Sequence, residues 1–437
     1  MDYTQILIAQ YLQEKNLNET LASFLKETEC SYSDIANHAE YGEKLSLESI
    51  VRDRVHFKQD TSTNRPINRE LVKFNSWNYA KHFETFQLPP IGSLVIDSKF
   101  IKTPNLGNQL LLSSADRKTY FIKIEKDNGD FDKWRVVNHN SVCKFCGAFE
   151  DTDICYFVTI DGNLILYDGF EGKEIRKYSL ETRIVSHLKL LRSGNSHNSW
   201  YFIYTGLDNK LRAAILNLDD ISTPLFDIIA ETKLLSKSTS LEAITNPKNS
   251  KPIILVSRLD YTSILVFSLT LEDKLEHYSN IALNDAQFMS HSFNALDMKL
   301  ITMPGDIQKR NLVVATSHNP YMRLIVVNLE DLSDMIATLS NGEIRTYYDK
   351  VLENILTKVP QDAYSQPIIV VDDSIGGIMV GSNEGLFAVD LNKKDSWKFK
   401  VTNDNEENRI KTIDIKSDGT IFFGTSEKDL YLCTATS

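Results

Sequence analysis

The sequence predicts a mainly β protein: a seven-bladed β-propeller with a small α-helical module at its N-terminus. Three observations predict it. Short apolar runs at strand spacing recur along the chain from residue 69 onward, the first 60 residues instead show helical spacing, and one strand–turn–strand signal recurs seven times.

In that signal a strand ends in small residues, meets a polar turn and restarts. It stands at Ser113-Ser114-Ala115-Asp116, Thr159-Ile160-Asp161-Gly162, Thr205-Gly206-Leu207-Asp208 and Ser257-Arg258-Leu259-Asp260. It returns at Thr316-Ser317-His318-Asn319, Gly381-Ser382-Asn383-Glu384 and Gly424-Thr425-Ser426-Glu427. With Asp116, Asp161, Asp208, Asp260, Asn319, Glu384 and Glu427 as markers, the spacings are 45, 47, 52, 59, 65 and 43 residues. A period in the forties, lengthened by insertions, is the spacing of repeated four-stranded blades. One such sheet cannot bury both its faces, whereas a ring of them can. The runs Gln109–Leu112, Tyr156–Thr159, Pro252–Val256 and Leu324–Val327 are the strands nearest these turns.

The sequence ends ten residues after the last marker, at LYLCTATS, so the final blade is expected to lack its outer strand. Within 69–90, RELVKFNSWNYAKHFETFQLPP, a strand is expected to fill that place and join the ends of the ring, because an unpaired edge is a liability. The stretch 340–366 exceeds a blade loop, and its YYDKVLENILTKV portion reads as a helical insertion. Asp161-Gly162, Asn341-Gly342 and Asp373–Gly377 read as turns between strands.

The N-terminal 57 residues form a separate unit. Ile6, Leu7, Ala9, Tyr11 and Leu12 lie near helical spacing, and Leu17, Leu21, Phe24 and Leu25 resume it after a break at Lys15-Asn16. The expected helices are 5–14 and 18–28, with Asn16 in the left-handed position that ends the first and Asn18 capping the second. A third helix is expected over 45–57, with Leu47, Ile50, Val51 and Val55 on one side. The polar stretch 58–68, KQDTSTNRPIN, reads as a linker to the propeller at 69–437. A hairpin of two such short helices cannot bury its apolar stripe alone, which argues for self-association. Tyr11 is expected to keep its ring in that seam and its hydroxyl at the edge, whereas Lys26 and Glu27 read as solvated.

Two resemblances follow from these residues. Residues 6–29 resemble the LisH motif through Ile8, Tyr11-Leu12, Leu17, Thr20, Phe24 and Glu27, with Asn16 where Gly is usual and Leu21 where Ala is usual. The resemblance implies a dimer, or a tetramer, of helical hairpins. Residues 90–437 resemble a divergent WD-repeat propeller, most closely at RIKTIDIKSDGTIFFGTSEKDLYL (409–432) and WYFIYTGLDNKLRAAIL (200–216), without the Gly-His and Trp-Asp dipeptides. LisH followed by a propeller implies scaffolding, as in dynein regulators, corepressor subunits, splicing factors and ubiquitin-ligase subunits.

Composition narrows the function class. Asp and Glu outnumber Lys and Arg by 59 to 48, a formal charge of −11, so no general attraction to nucleic acid or anionic membrane is expected. Five cysteines, Cys30, Cys143, Cys146, Cys155 and Cys433, suit a reducing compartment, cytoplasm or nucleus. The N-terminus lacks the basic flank of a signal peptide, and no apolar run is long enough to span a bilayer. Cys143 and Cys146, with His139 and Cys155 nearby, resemble half of a zinc site but lack the second half, and read as strand cysteines. Asp373–Gly377 lacks the Gly-Lys-Ser/Thr of a phosphate loop, and no catalytic motif stands in the chain. Asp219-Asp220 and Asp372-Asp373 read as loop residues.

The expected protein is therefore a non-enzymatic scaffold with no cofactor and no metal. Its expected dimer interface is Ile8, Tyr11, Leu12, Leu17, Thr20, Leu21 and Phe24, and its propeller offers a face to protein partners. The alternatives are a substrate-recruiting subunit of a ubiquitin ligase or of a chromatin corepressor complex, and a propeller enzyme or small-molecule binder with its site in the central channel.

Overall fold

The computed structural model describes residues 3–33, 46–62, 74, 77, 83–124, 134–194, 196, 198–220, 223–284, 293–303, 306–338, 344–372, 377–399 and 408–435. Three helices open the chain: α1 (Tyr3–Glu14), α2 (Asn18–Glu27) and α3 (Leu47–Ser62). Strand β1 (Phe83–Gln87) follows. Blade one is β2 (Val95–Thr103), β3 (Gly107–Ser114), β4 (Lys118–Lys123) and β5 (Trp134–Asn138). Blade two is β6 (Cys143–Ala148), β7 (Ile154–Thr159), β8 (Asn163–Asp168) and β9 (Lys173–Ser179). Blade three is β10 (Val185–Arg192), β11 (Ser199–Gly206), β12 (Lys210–Asn217) and β13 (Leu225–Lys233). Blade four is β14 (Ser238–Thr245), β15 (Pro252–Arg258), β16 (Ser263–Leu269) and β17 (Leu275–Ala282).

Blade five holds β18 (Ala295–Met303), β19 (Asp306–Thr316) and β20 (Tyr321–Asn328). Helix α4 (Leu332–Thr338) and strand β21 (Arg345–Tyr347) then intervene before its outer strand, β22 (Val351–Pro360). Blade six is β23 (Ile368–Asp372), β24 (Gly377–Ser382), β25 (Gly385–Asp390) and β26 (Asp395–Lys398). Blade seven is β27 (Ile410–Ile415), β28 (Ile421–Thr425) and β29 (Leu430–Ala435). Its outer strand is β1, paired antiparallel from Phe83 opposite Ala435 to Gln87 opposite Tyr431. The ring is thus closed by a strand from within 69–90. All seven marker turns join the second and third strands of a blade.

The core lies between blades. Seven apolar clusters each join neighbouring sheets, so every blade buries both faces. Second strands such as β11 and β15 are buried along their whole length. This is why the sequence reads there as continuous apolar runs.

The inner strands line the central channel, and their polar side chains fasten blade to blade. In six of the seven, the second residue bulges out of register. Just past the bulge, a side chain reaches the next blade: Asp97 accepts from the Cys146 amide at 2.9 Å, and Asp297 from the Ile369 amide at 2.9 Å. Asp414 accepts from the Phe100 amide at 2.7 Å and from Lys99 Nζ at 2.9 Å. Ser240 Oγ accepts from the Met298 amide at 3.0 Å, and Lys189 pairs with Glu242 at 2.5 Å. Lys144, a bulged residue itself, donates to the Val185 and Ser186 carbonyls at 2.7 and 3.1 Å. Buried amides at these junctions would otherwise cost about 1–3 kcal/mol each. The Asp414 partner holds the Lys99 ammonium well above its ordinary range.

Two expectations are corrected. The YYDKVLENILTKV segment is not helical: it supplies the end of β21 and most of β22. Leu352 is an extra residue between the Val327–Val351 and Val326–Glu353 pairs, and this β-bulge turns a strand's two-residue step into the three-residue step from Leu352 to Ile355. That spacing imitates a helix, whereas Ile355, Thr357 and Val359 alternate inward as a strand should. The helix of the insertion lies earlier, where α4 buries Leu332 and Met335 between blades four and five. The expected linker 58–68 is helical as far as Ser62, because α3 continues through it. Residues 63–68, Asn341-Gly342 and 373–376 lie outside the described residues.

Closure carries a second fastening. Phe74 exchanges hydrogen bonds with the Asn392 side chain at 3.0 and 2.9 Å, and Trp77 packs edge-on to Trp397 with ring centroids 4.9 Å apart. A Cβ on Gly377 would lie 1.8 Å from the Trp77 ring. Gly377→Ala is therefore expected to cost about 1–3 kcal/mol. In a double-mutant cycle read by denaturant unfolding, most of that loss should vanish in a Trp77→Ala background; additive losses would contradict the contact.

The channel wall also sets a pH dependence. Burial, helped by the Lys144 amine, holds the His187 imidazole down at about 4, below its ordinary 6.5. Between pH 6.5 and 4 the unfolded chain binds a proton there that the folded chain does not. Stability at this site therefore rises with pH across the window and is lost on acidification. Asp97 has the opposite sign, since burial lifts its carboxyl from 3.8 to about 6 and the folded chain takes the extra proton between those values. Thermal unfolding followed from about pH 7 to about pH 4.5 should show a smaller acid loss for His187→Gln than for the wild type. Equal losses would contradict the assignment.

Candidate functional site

The N-terminal module is a hairpin closed by its own turn. Asn16 has φ 56°, the Leu17 amide donates to the Leu12 carbonyl at 2.9 Å, and the Asn16 amide to the Gln13 carbonyl at 3.0 Å. These two bonds define the left-handed helix stop, with Asn in the place glycine usually fills. The N-cap of α2 is Leu17, whose carbonyl accepts from the Leu21 amide, and no side chain caps it. Asn18, expected as the cap, is the first helical residue instead, because the turn leaves no room for a longer connection.

Ala9, Leu12, Leu21 and Leu25 form the hairpin's private core, with Ile8, Tyr11 and Phe24 half-buried at its margin. Of the seven expected interface residues, Leu12 and Leu21 are thus covered within one chain. Leu17 is 45% exposed, and Thr20 is exposed beside it on the first turn of α2.

Sequence reading missed what holds this hairpin to the ring. Ser46 caps α3 by accepting from the Ser49 amide at 3.1 Å, and α3 lies between the hairpin and blade four. Strand β21 pairs parallel to β17, Ser279 opposite Arg345, and gives blade four a fifth strand. Asp60 of α3 pairs with Arg345 at 2.7 Å and accepts from the Tyr348 amide at 3.2 Å. Tyr348 donates to Asp53 at 2.6 Å and packs edge-on to Phe57, centroids 5.1 Å apart. The side chain of Asp60 is only 7% exposed, so this pair anchors the helix. The Lys15–Glu48 pair at 3.1 Å joins the hairpin to α3 in open solvent and adds at most about 1 kcal/mol. Asp53, Phe57 and Asp60 share one face at helical spacing. That face is mostly polar, so a search for apolar stripes passes over it.

On the ring, six of the seven marker turns share one hydrogen bond. The amides of Ala115, Ile160, Leu207, Leu259, Ser317 and Ser426 donate to the carbonyls of Leu94, Val142, Ile184, Lys237, Asn294 and Arg409. Each acceptor immediately precedes an inner strand, so these turn residues sit at the channel mouth on one face. Cys143, Cys146 and Cys155 lie in strands β6 and β7 within the contact of blades one and two. Burial raises the Cys143 and Cys155 thiols to about 12, which leaves them protonated. His139 packs against Phe157 with the rings tilted by 60° and bonds to Thr119. Among the described residues, no group of three or more His, Cys, Asp or Glu is placed to hold a metal ion, and no helix is long and apolar enough to cross a membrane.

Comparison with known proteins agrees with this division of the chain. A family model described as the UCP007778 LisH domain matches residues 2–35, and one described as the UCP007778 β-propeller domain matches residues 60–434. The chain is also 31% identical, over 467 aligned residues, to the Saccharomyces cerevisiae protein named uncharacterized protein YGR117C. That alignment covers 98% of this chain and 96% of the yeast protein. The chain belongs to the UCP007778 family, in which a LisH domain precedes a β-propeller.

Proposed function

We propose that this protein is a non-enzymatic interaction scaffold of the cytoplasm or nucleus, which self-associates through its LisH hairpin and presents its propeller to protein partners. One observation carries the proposal. The hairpin closes a four-residue core yet leaves Ile8, Tyr11, Leu17 and Phe24 partly or largely uncovered. Thr20 is exposed too, three residues from Leu17 on α2, and Leu12 and Leu21 belong to the core of the same hairpin. A second hairpin laid against it would remove these side chains from water, each fully buried one contributing about 1.5–3 kcal/mol. Two propellers on one base then bind a two-site partner with added avidity and without new contacts.

Light scattering after size exclusion tests this on the full chain. The expected mass is twice 49.8 kDa or a higher even multiple. Leu17→Asp and Thr20→Arg, both at exposed positions, should yield a folded monomer with unchanged circular dichroism. Leu12→Asp is unsuitable, because it places a charge inside the hairpin's own core. A wild-type monomer, or variants that keep the wild-type mass, would overturn the proposal.

A further inference from the structure

Helix α3 has an anchored side and a free one. Asp53, Phe57 and Asp60 meet Tyr348 and Arg345 beside blade four and fix the inward side. Val51 and Val55 stand two positions before and after Asp53, about 200° round the helix from it, and point the other way. They are 55 and 46% exposed. Glu48 and Lys58 are exposed on the same line. Glu48, Val51, Val55 and Lys58 follow at steps of three, four and three residues, the spacing of a coiled-coil seam. One exposed valine is ordinary, whereas a seam-spaced stripe with every member exposed calls for an occupant.

The order of the stripe says what fits it. It reads acid, valine, valine, base, and its positions are symmetric about residue 53. An identical helix laid antiparallel, with a two-fold axis beside residue 53, sets Val51 against Val55 and Glu48 against Lys58 at both ends. Laid parallel, it would set acid against acid and base against base. A contact between two copies about a two-fold axis requires such self-complementarity. Lys15 pairs with Glu48 at 3.1 Å, but the Glu48 side chain stays 47% exposed and has room for a second cation. Lys58 forms no ion pair among the described residues. On the flanks, Arg52 is half-buried and Arg54 lies over the Phe57 ring at 5.1 Å, so neither stands in the stripe.

We infer that the outward face of α3 is a contact for a second copy of this chain, paired antiparallel, and that it joins two hairpin pairs into a tetramer. This rests on the proposed self-association through the hairpin. Four side chains per copy fall far short of the roughly 800 Å² that a stable interface buries on each side, so one α3 contact does not hold two monomers together. A hairpin pair carries two stripes, and two such contacts made at once gain from effective concentration. Two kinds of two-fold contact are what a closed tetramer requires. Because the Asp60–Arg345 and Asp53–Tyr348 contacts anchor α3, the stripe also ties the propellers of different pairs to one another.

Light scattering and sedimentation of the full chain over a range of concentrations test this. The expected wild-type mass is four times 49.8 kDa. Val51→Asp with Val55→Asp, both at exposed positions, should halve it with unchanged circular dichroism, whereas Leu17→Asp should reduce it to the monomer. Lys58→Glu should raise the concentration at which pairs join by about tenfold, because it sets acid against acid. Adding Glu48→Lys to it should restore the wild-type value, since the exchanged charges again meet their opposites. A wild type of twice 49.8 kDa, or an unchanged mass in the valine variant, would overturn the inference and leave the hairpin proposal standing. Failure of Glu48→Lys to restore assembly would overturn the antiparallel pairing, and the inference with it. A wild-type monomer would overturn both.

Discussion

The pairing of β1 with β29 is the constraint on which the rest depends. Without it, blade seven has three strands, and the edge of β29 stands open to any other chain. With it, residues more than 340 positions apart face each other, Phe83 opposite Ala435. Leu88 then joins Leu430 and Leu432 in the apolar contact of blades seven and one. Phe74 and Trp77, just upstream, pack between later blades, so the chain is stapled to the ring at several points before its first blade begins. Closure by such distant partners carries a large loop entropy, which grows only slowly with length. Seven inter-blade cores then depend on it together.

Closure also explains the polar channel. The inner strands are the crowded ends of the blades, where the ring leaves too little width for large apolar side chains to interdigitate. Inner-strand amides there face the neighbouring blade, and Asp97, Asp297 and Asp414 accept from those of Cys146, Ile369 and Phe100. Lysines placed two residues further on, Lys99 and Lys299, lie beside carboxylates at 2.9 and 3.0 Å. Asp97, Asp297, Asp414 and Lys99 fasten sheets to one another, whereas Lys299 pairs within its own strand.

Much of this was legible in the sequence because each turn repeats a local demand. Arg117, Asn209, Asp260 and Lys428 have positive φ, as does Gly162, and the short polar residues around them mark the turn without any knowledge of the fold. Closure by a strand within 69–90 was legible for the same reason: the last blade visibly lacked a strand. The β22 segment was not, since the bulge at Leu352 disguises its period. Strand β21 was not either, because three residues carry no periodicity and its pairing depends on a neighbouring blade. In the hairpin, the apolar positions were legible, but their division was not. Whether Leu12 faces its own α2 or another chain depends on how two helices cross, which spacing alone does not set.

The account joins a closed ring to a separately held hairpin that carries the proposed self-association. Hydrogen exchange of the full chain, followed residue by residue at several protein concentrations, tests that union most directly. Residues 83–87 and 430–435 should exchange together, as slowly as the blade interiors and independently of concentration. Residues 5–27 should form a distinct, faster class whose protection rises with concentration, as mass action requires of a hairpin stabilised by its twin. If residues 83–87 exchanged in step with the hairpin, or if hairpin protection ignored concentration, the account would be contradicted.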